Sequence, residues 1–481
     1  MLSLDYNTMK KTYLAVDFGG GSGRVVAGFL CQGKLELKEI HRFDNRQVQL
    51  GNQLCWDFPA LFQDMKEGLC LAAQAGYDVQ GIGIDTWGVD FGLLDRQGKL
   101  LGNPVCYRDS RTDGMPERFF AHVDAQDHYA CTGTQVMPIN TLFQLYSMRL
   151  NKDPQLEMAD KLLFMPDLFS YFLTGIANNE YSIASTSELL DASNRTWSKE
   201  TMEAAGIPTH LFGEIVMPGI IRGKLKKEIA IETGLGEVDV IAVGSHDTAS
   251  AASVVSDQGG TTAFLSSGTW SLLGIEQTEP ILSEAARKAS FTNEGGVGGR
   301  ITFLQNITGL WILQRLMAEW KAKGEEQQYA TMLQQAAEAV IESFIPVDDA
   351  AFMNPDNMEE AIQDYCRKNG QIVPQTKGEV VRCVLQSLAA RYQQAVTELN
   401  ALLPQPITQL NIIGGGCQNQ LLNQLTADAL GIPVIAGPIE ATAIGNILTQ
   451  AIAKGDVADL HELKAIVANS FCLQVYEPVK K

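Results

Sequence analysis

Val243-Gly244-Ser245-His246-Asp247-Thr248-Ala249-Ser250-Ala251 lies close to the midpoint of the 481-residue chain. Val238 to Val243 is apolar and reads as a strand, Gly244 and Ser245 turn it, and the residues from Ala249 to Ala252 are all small. This pattern sets the carboxylate of Asp247 at a strand end, on a rigid platform. Taken locally, such an Asp either caps the segment that follows or offers its carboxylate to a ligand. A glycine-rich element toward each end of the chain favours the second reading, because it suggests two similar half-molecules closing on one carboxylate.

The first such element is Asp17-Phe18-Gly19-Gly20-Gly21-Ser22-Gly23-Arg24. Tyr13 to Phe18 reads as a strand, Gly19 to Gly23 as a turn, Arg24 to Leu30 as a second strand and Leu35 to Phe43 as a third. Phe58 to Ala75 has helical spacing through Leu61, Phe62, Met65 and Leu69, and Gln80 to Asp85 is a buried strand. Such an order opens an α/β domain. Walker A and dinucleotide motifs need a helix after the glycines, whereas here Val25 and Val26 follow. A hairpin remains, either an ordinary turn or one whose backbone N–H groups cradle phosphate. Asp17, at the strand end, is placed to hold Mg²⁺ directly or through water.

A similar opening recurs. Thr262 to Leu265, a turn at Ser266-Ser267-Gly268-Thr269 and Trp270 to Ile275 form a second hairpin. Leu410 to Ile413 then meets Gly414-Gly415-Gly416, a helix runs from Gln418 to Leu430, Ile432 to Ala436 is a strand and Glu440 to Lys454 a helix. Thr376-Lys377-Gly378-Glu379 matches a capping box opening a helix through Leu399. Sequence identity between the halves is negligible, so the repeat is architectural. The break falls near residue 250, giving domains 1–250 and 251–481.

The net charge of −19, from 56 acidic and 37 basic residues, argues against a nucleic-acid partner, whose binding needs clustered Lys and Arg. No uncharged apolar run is long enough to span a membrane. The N-terminus, Met1 to Lys11, lacks the apolar core of a secretory signal. Nine cysteines occur singly, without a C-x-x-C pair, which points to a reducing cytoplasm. Cys366 and Cys383 are the one pair that helix packing brings within reach, and free thiols are expected there.

Gly83-Ile84-Asp85-Thr86-Trp87-Gly88-Val89-Asp90-Phe91 suits a sugar: Asp85 accepts hydroxyl hydrogens, the Trp87 indole stacks on C–H faces and Gly88 leaves room. A strand with a buried Trp is the alternative. Tyr107-Arg108-Asp109-Ser110-Arg111-Thr112 either orients hydroxyls or forms a surface turn. With these segments, Ser245 to Ala251, Leu265-Ser266-Ser267-Gly268-Thr269-Trp270-Ser271-Leu272, Thr292-Asn293-Glu294-Gly295-Gly296 and Gly414-Gly415-Gly416-Cys417-Gln418-Asn419, the chain resembles the FGGY carbohydrate kinases over about residues 13 to 450. The tetrapeptide that names the family is absent, and Pro166 precedes Asp167 where many relatives carry a Lys.

That resemblance implies an α/β, two-domain actin/Hsp70-like (ribonuclease H-like) ATPase fold with the active site in the interdomain cleft. It implies ATP-dependent phosphorylation of a ketose, L-rhamnulose at its 1-hydroxyl ahead of L-fuculose, L-ribulose or D-xylulose. An actin- or Hsp70-like ATPase switch is the rival from another class. Asp247 matches the family's base, an ordinary carboxylate ionised at neutral pH. Gly88, His246, Asp247, Thr248 and Asn306 match sugar contacts. Gly20, Gly21, Ser22, Gly23 and Arg24 match a first phosphate loop, and Thr269, Gln314 and Gly415 the rest of the nucleotide site. Mg²⁺ accompanies ATP, near Asp17, and the partners are the ketose and ATP, with no nucleic acid and no membrane.

Overall fold

A computed structural model describes residues 11–255 and 261–479; the polar N-terminal stretch before Lys11 lies outside them. The chain forms two units that interleave in sequence. The first comprises Met1–Val254, Glu276–Phe303 and Ala441–Ser470, and the second Val255–Ile275, Leu304–Glu440 and Phe471–Lys481. The sequence break near residue 250 thus falls at the end of the first unit's main segment, to which two later segments return.

In the first unit the sheet order is Ile221–Lys224, Asp239–Ile241, Val79–Thr86, Lys11–Phe18, Ser22–Cys31 and Lys34–Asp44. Lys11–Phe18 pairs antiparallel with Ser22–Cys31 and parallel with Val79–Thr86, which is parallel to Asp239–Ile241. The parallel register sets Asp17 opposite Asp85. The chain continues beyond Asp239–Ile241 so that Ser245 O accepts from Thr86 N at 2.9 Å and His246 bridges Thr86. Asp17 and Asp85, beside the ends of their strands, and Asp247, at the helix start that follows the third, therefore share one edge, the carboxyl edge where open α/β sheets bind ligands. Leu61, Met65 and Leu69 of the helix Phe58–Gln74 repeat every fourth residue and bury against Leu14, Val16, Ile82 and Ile84.

The helix Ala441–Ala453 belongs to this unit. Its Asn446 and Gln450 lie one turn apart; Gln450 Nε2 donates to Leu14 O at 3.0 Å, and Asn446 Nδ2 donates to Asp85. The short helix Asp247–Ala252 packs against it at Gly445, whose site has no room for a Cβ beside Ser250. This close approach explains the small residues after Thr248.

The second unit repeats the arrangement. Trp270–Gln277 pairs antiparallel with Thr261–Ser267, which is parallel to Ile407–Ile413, itself parallel to Val434–Ala436. Hairpin, parallel strand, parallel strand is the order of the first unit, so the architectural repeat is real despite the unrelated sequences. The capping box forms, and its helix runs from Lys377 to Asn400. Cys366 and Cys383 are buried free thiols. No helix among the described residues is long and apolar enough to cross a membrane.

Candidate active site

Asp247 is the first residue of its helix, after His246 at the cap position, and no side chain caps that end. The capping alternative is therefore not realised. Its side chain is 34% exposed, and Thr248 Oγ1 donates to its Oδ1 at 3.1 Å. Burial holds the Asp247 carboxyl above the usual range; Asp17 adds to this and His246 opposes it. Asp247 is thus a perturbed carboxylate and not the ordinary one that the sequence suggested.

The loop before it is clamped from behind. Ser245 N donates to Glu180 Oε2 at 3.2 Å, His246 N to Ser182 Oγ at 3.1 Å, and Ser182 Oγ to Glu180 Oε2 at 2.6 Å. Burial pushes the Glu180 carboxyl up to about 7. Asp167, paired with Arg222, accepts from Glu180 N at 3.1 Å. Sequence reading missed Glu180. It stands among Asn178, Asn179, Ser182 and Ser185, so no local contrast in polarity marks it.

Asp17 accepts from Arg24 Nε and Nη2 at 3.0 and 2.8 Å, across the hairpin in register. Around the turn, Gly19 N donates to Ser22 O at 2.9 Å and Asn45 Nδ2 to Gly19 O at 2.7 Å. A Cβ at Gly21 would meet nothing within 4 Å and one at Gly20 only Tyr107 Oη at 3.8 Å, so this backbone is open to a ligand. Gly23 has a different reason: a Cβ there would sit 2.2 Å from the Phe43 ring. Ser22 and Arg24 begin the second strand.

The expected sugar role of Asp85 is overturned. Asp85 is fully buried and bonded to Asn446; burial, then the charge of Asp17, holds its carboxyl well above the usual range. Trp87 likewise cannot stack on a sugar face: it is buried, and its ring lies 4.1 Å from that of Trp56. Both indole N–H groups donate to Asp90 Oδ2, Trp56 at 2.6 Å and Trp87 at 2.9 Å, and Tyr107 N joins them at 3.1 Å. Burial pushes Asp90 up to about 6. Asp90 is therefore the carboxylate that organises this loop.

Beside it, Gly88 remains part-exposed and Val89 adopts a left-handed φ of 67°, which is costly for a β-branched residue. Thr186 Oγ1 accepts from Val89 N at 3.0 Å and Thr141 Oγ1 donates to Val89 O at 2.6 Å. These bonds hold the strained turn and fix the Gly88 peptide. The run from Tyr107 to Thr112 is tied inward: Asp109 Oδ2 accepts from Leu54 N at 2.7 Å, and Arg111 Nη2 donates to Gln144 Oε1 at 2.6 Å.

In the second unit lie the three expected nucleotide contacts: Thr269 in a hairpin turn, Gln314 in the first turn of the helix Trp311–Ala322, and Gly415 in a turn after the strand Ile407–Ile413. Thr269 Oγ1 donates to Gln314 Oε1 at 3.1 Å, and Gly309 N and Trp311 N both reach Thr269 O at 3.2 Å. Gly416 packs so tightly on Ser267 that a Cβ would lie 2.0 Å from its Oγ, whereas Gly415 faces open space. Asn306 stands in the strand Ile301–Thr308 and is half-buried.

Two family profiles cover almost all of this architecture. The N-terminal domain of the FGGY family of carbohydrate kinases matches residues 12–253, and its C-terminal domain residues 263–454. The chain belongs to the FGGY family of carbohydrate kinases. It is 46% identical to the rhamnulokinase of Bacteroides thetaiotaomicron over 98% of this chain and 96% of that protein. It is 39% identical to the rhamnulokinase of Bacillus subtilis, over 97% and 95%. Among solved structures it is similar to ligand-bound xylulose kinase from Lactobacillus acidophilus (TM-score 0.80, 18% identity, 98% of this chain and 94% of that one). Plasmodium falciparum glycerol kinase with ADP gives a TM-score of 0.78 at 15% identity, over 98% and 94%.

Proposed function

We propose that the protein transfers the γ-phosphoryl group of ATP to the 1-hydroxyl of L-rhamnulose, in the cytoplasm, as a step of L-rhamnose catabolism. The observation that carries this is the part-exposed Asp247 carboxylate, at a helix start whose preceding loop is clamped by Glu180, in a chain similar to rhamnulokinases along nearly its whole length. A nucleotide switch needs no such base. Phosphoryl transfer has a loose transition state, so catalysis lies in positioning and charge neutralisation. Asp247 takes the hydroxyl proton as the oxygen attacks phosphorus. Gly88, His246, Thr248 and Asn306 contact the ketose. The open backbone of Gly20 and Gly21, with Ser22 and Arg24, receives phosphate, and Thr269, Gln314 and Gly415 the rest of the nucleotide.

The residues present fit Mg²⁺. Asp85 Oδ1 is buried without a partner, and the negative charge shared by Asp17, Asp85 and Asp247 raises the latter two. Asp17 would hold the ion, which neutralises phosphate charge when bound. Among the described residues, the group of three ligand atoms lying within 4.8 Å of one another is His41, Asp64 and Glu67, away from Asp17. Turnover should vanish in excess chelator and return with Mg²⁺. Asp17→Ala should lower kcat more than it raises the ketose KM, and the reverse pattern would move Asp17 to the sugar side.

A coupled ADP-release assay over L-rhamnulose, L-fuculose, L-ribulose and D-xylulose tests the reading. L-rhamnulose should give the highest kcat/KM. A higher value for another ketose reassigns the substrate, and ADP release indifferent to every ketose removes the kinase reading.

A further inference from the structure

Behind Asp247 stands a second carboxylate that the proposed mechanism does not use. Glu294, in the strand Thr292–Gly295, is 7% exposed, and its Oε2 lies 3.1 Å from His246 Nδ1. Neither atom has a hydrogen-bond partner of good geometry, so each depends on the other. His246 Nε2, on the far side of the ring, lies 3.5 Å from Asp247 Oδ1. Both ends of this line are held. The backbone of Ser245 and His246 is clamped by Glu180 and Ser182. Gly295 N donates to Ser185 Oγ at 2.7 Å, and a Cβ at Gly295 would sit 2.6 Å from the Tyr181 ring. With the main chain held on both sides, the imidazole ring lies between two carboxylates.

We propose that Glu294 is a positioning residue for phosphoryl transfer: it orients the His246 ring and keeps it charged beside Asp247, so that Asp247 stays ionised and aimed at the ketose. This rests on the assignment of Asp247 as the base. The electrostatics run the same way. Burial alone drives the His246 imidazole toward neutrality, but Glu294, Asp247 and Glu180 together outweigh it and raise its pKa. Around Asp247, burial and the charge of Asp17 favour the protonated acid, while His246 favours the carboxylate. Removing the Glu294 charge should let His246 lose its proton more readily. Asp247, without its cation, should then stay protonated to higher pH.

The test is Glu294→Gln, which keeps the shape and removes the charge. The six histidines allow the His246 ring to be followed by NMR with ¹³C-labelled histidine, the signal being assigned by its loss in His246→Gln. In Glu294→Gln the His246 titration should move to lower pH, and the acid limb of the kcat profile to higher pH by about one unit. Adding Glu294→Gln to His246→Gln should leave the limb where the single His246 variant put it, because Glu294 acts through the ring. If Glu294→Gln does not fold, Glu294→Asp, which keeps the charge but retracts it, should move both readouts in the same directions by less. An unmoved His246 titration overturns the pairing, and a moved titration with an unmoved acid limb overturns its catalytic role. The NMR titration needs no substrate, so it reads the pair even if the ketose assignment fails.

Discussion

Asp247→Asn lowers ketose-dependent ADP formation by about 10²- to 10⁴-fold, the usual cost of removing a positioned general base, and leaves nucleotide binding and folding near wild type. Asn is isosteric and can still accept from Thr248 Oγ1, so the local hydrogen bond survives. The helix does not depend on an Asp247 cap, since no side chain caps it. Removing one of three crowded carboxylates also relieves repulsion, because Asp17 raises Asp247 in the wild type. The loss should therefore appear in kcat, with calorimetric ATP affinity and the melting temperature almost unchanged. Retention of more than about a third of wild-type turnover, far outside that range, would contradict the assignment.

Gly445→Ala should be nearly as damaging, for a mechanical reason. A Cβ at Gly445 would lie 1.9 Å from the backbone oxygen of Ser250 and 2.7 Å from Ser253 Oγ. Backbone cannot step aside as a flexible side chain can, so the helices Asp247–Ala252 and Ala441–Ala453 must separate. Overpacking costs about 1–3 kcal/mol and sometimes more, and a clash with main chain belongs at the upper end. Ser250 is one turn beyond Asp247 on the same helix, so the separation also moves the base. A displacement of about 1 Å can cost about 10²-fold in rate. Urea unfolding and kcat of the purified variant measure the two effects. A wild-type midpoint with wild-type turnover would mean that this packing does not hold the base.

The strands and helices were legible because their periodicities are strong: Leu61, Met65 and Leu69 on one helix, and alternation through Leu35 to Phe43. The twofold architecture was legible too, from a hairpin, a glycine turn and a helix recurring in the same order. What local pattern could not show is where the helix Ala441–Ala453 packs. Its polar pair Asn446 and Gln450, one turn apart among apolar residues, was the available sign that one face meets strand ends and not plain core. The candidate site was legible at Asp17, beside the end of its strand, and at Asp247, which opens a helix a few residues after one. It misled at Asp85 and Trp87, which carry the right chemistry but are turned inward, toward Asn446 and toward Trp56 and Asp90. Which face of a strand end meets solvent depends on partners far away in sequence. Glu180, Asp90 and Glu294 act through such distant contacts as well, with Ser245, Trp56 and His246.

The proposed reaction transfers phosphate to the one primary hydroxyl of L-rhamnulose, with Asp247 as the base. Proton-coupled ³¹P NMR of the product formed from ATP and L-rhamnulose tests it most directly. The predicted result is a monoester signal split into a triplet by the two protons on carbon 1, formed by the wild type and not by Asp247→Asn over the same time. A doublet, which marks a secondary ester, or ADP with inorganic phosphate and no ester, would contradict it.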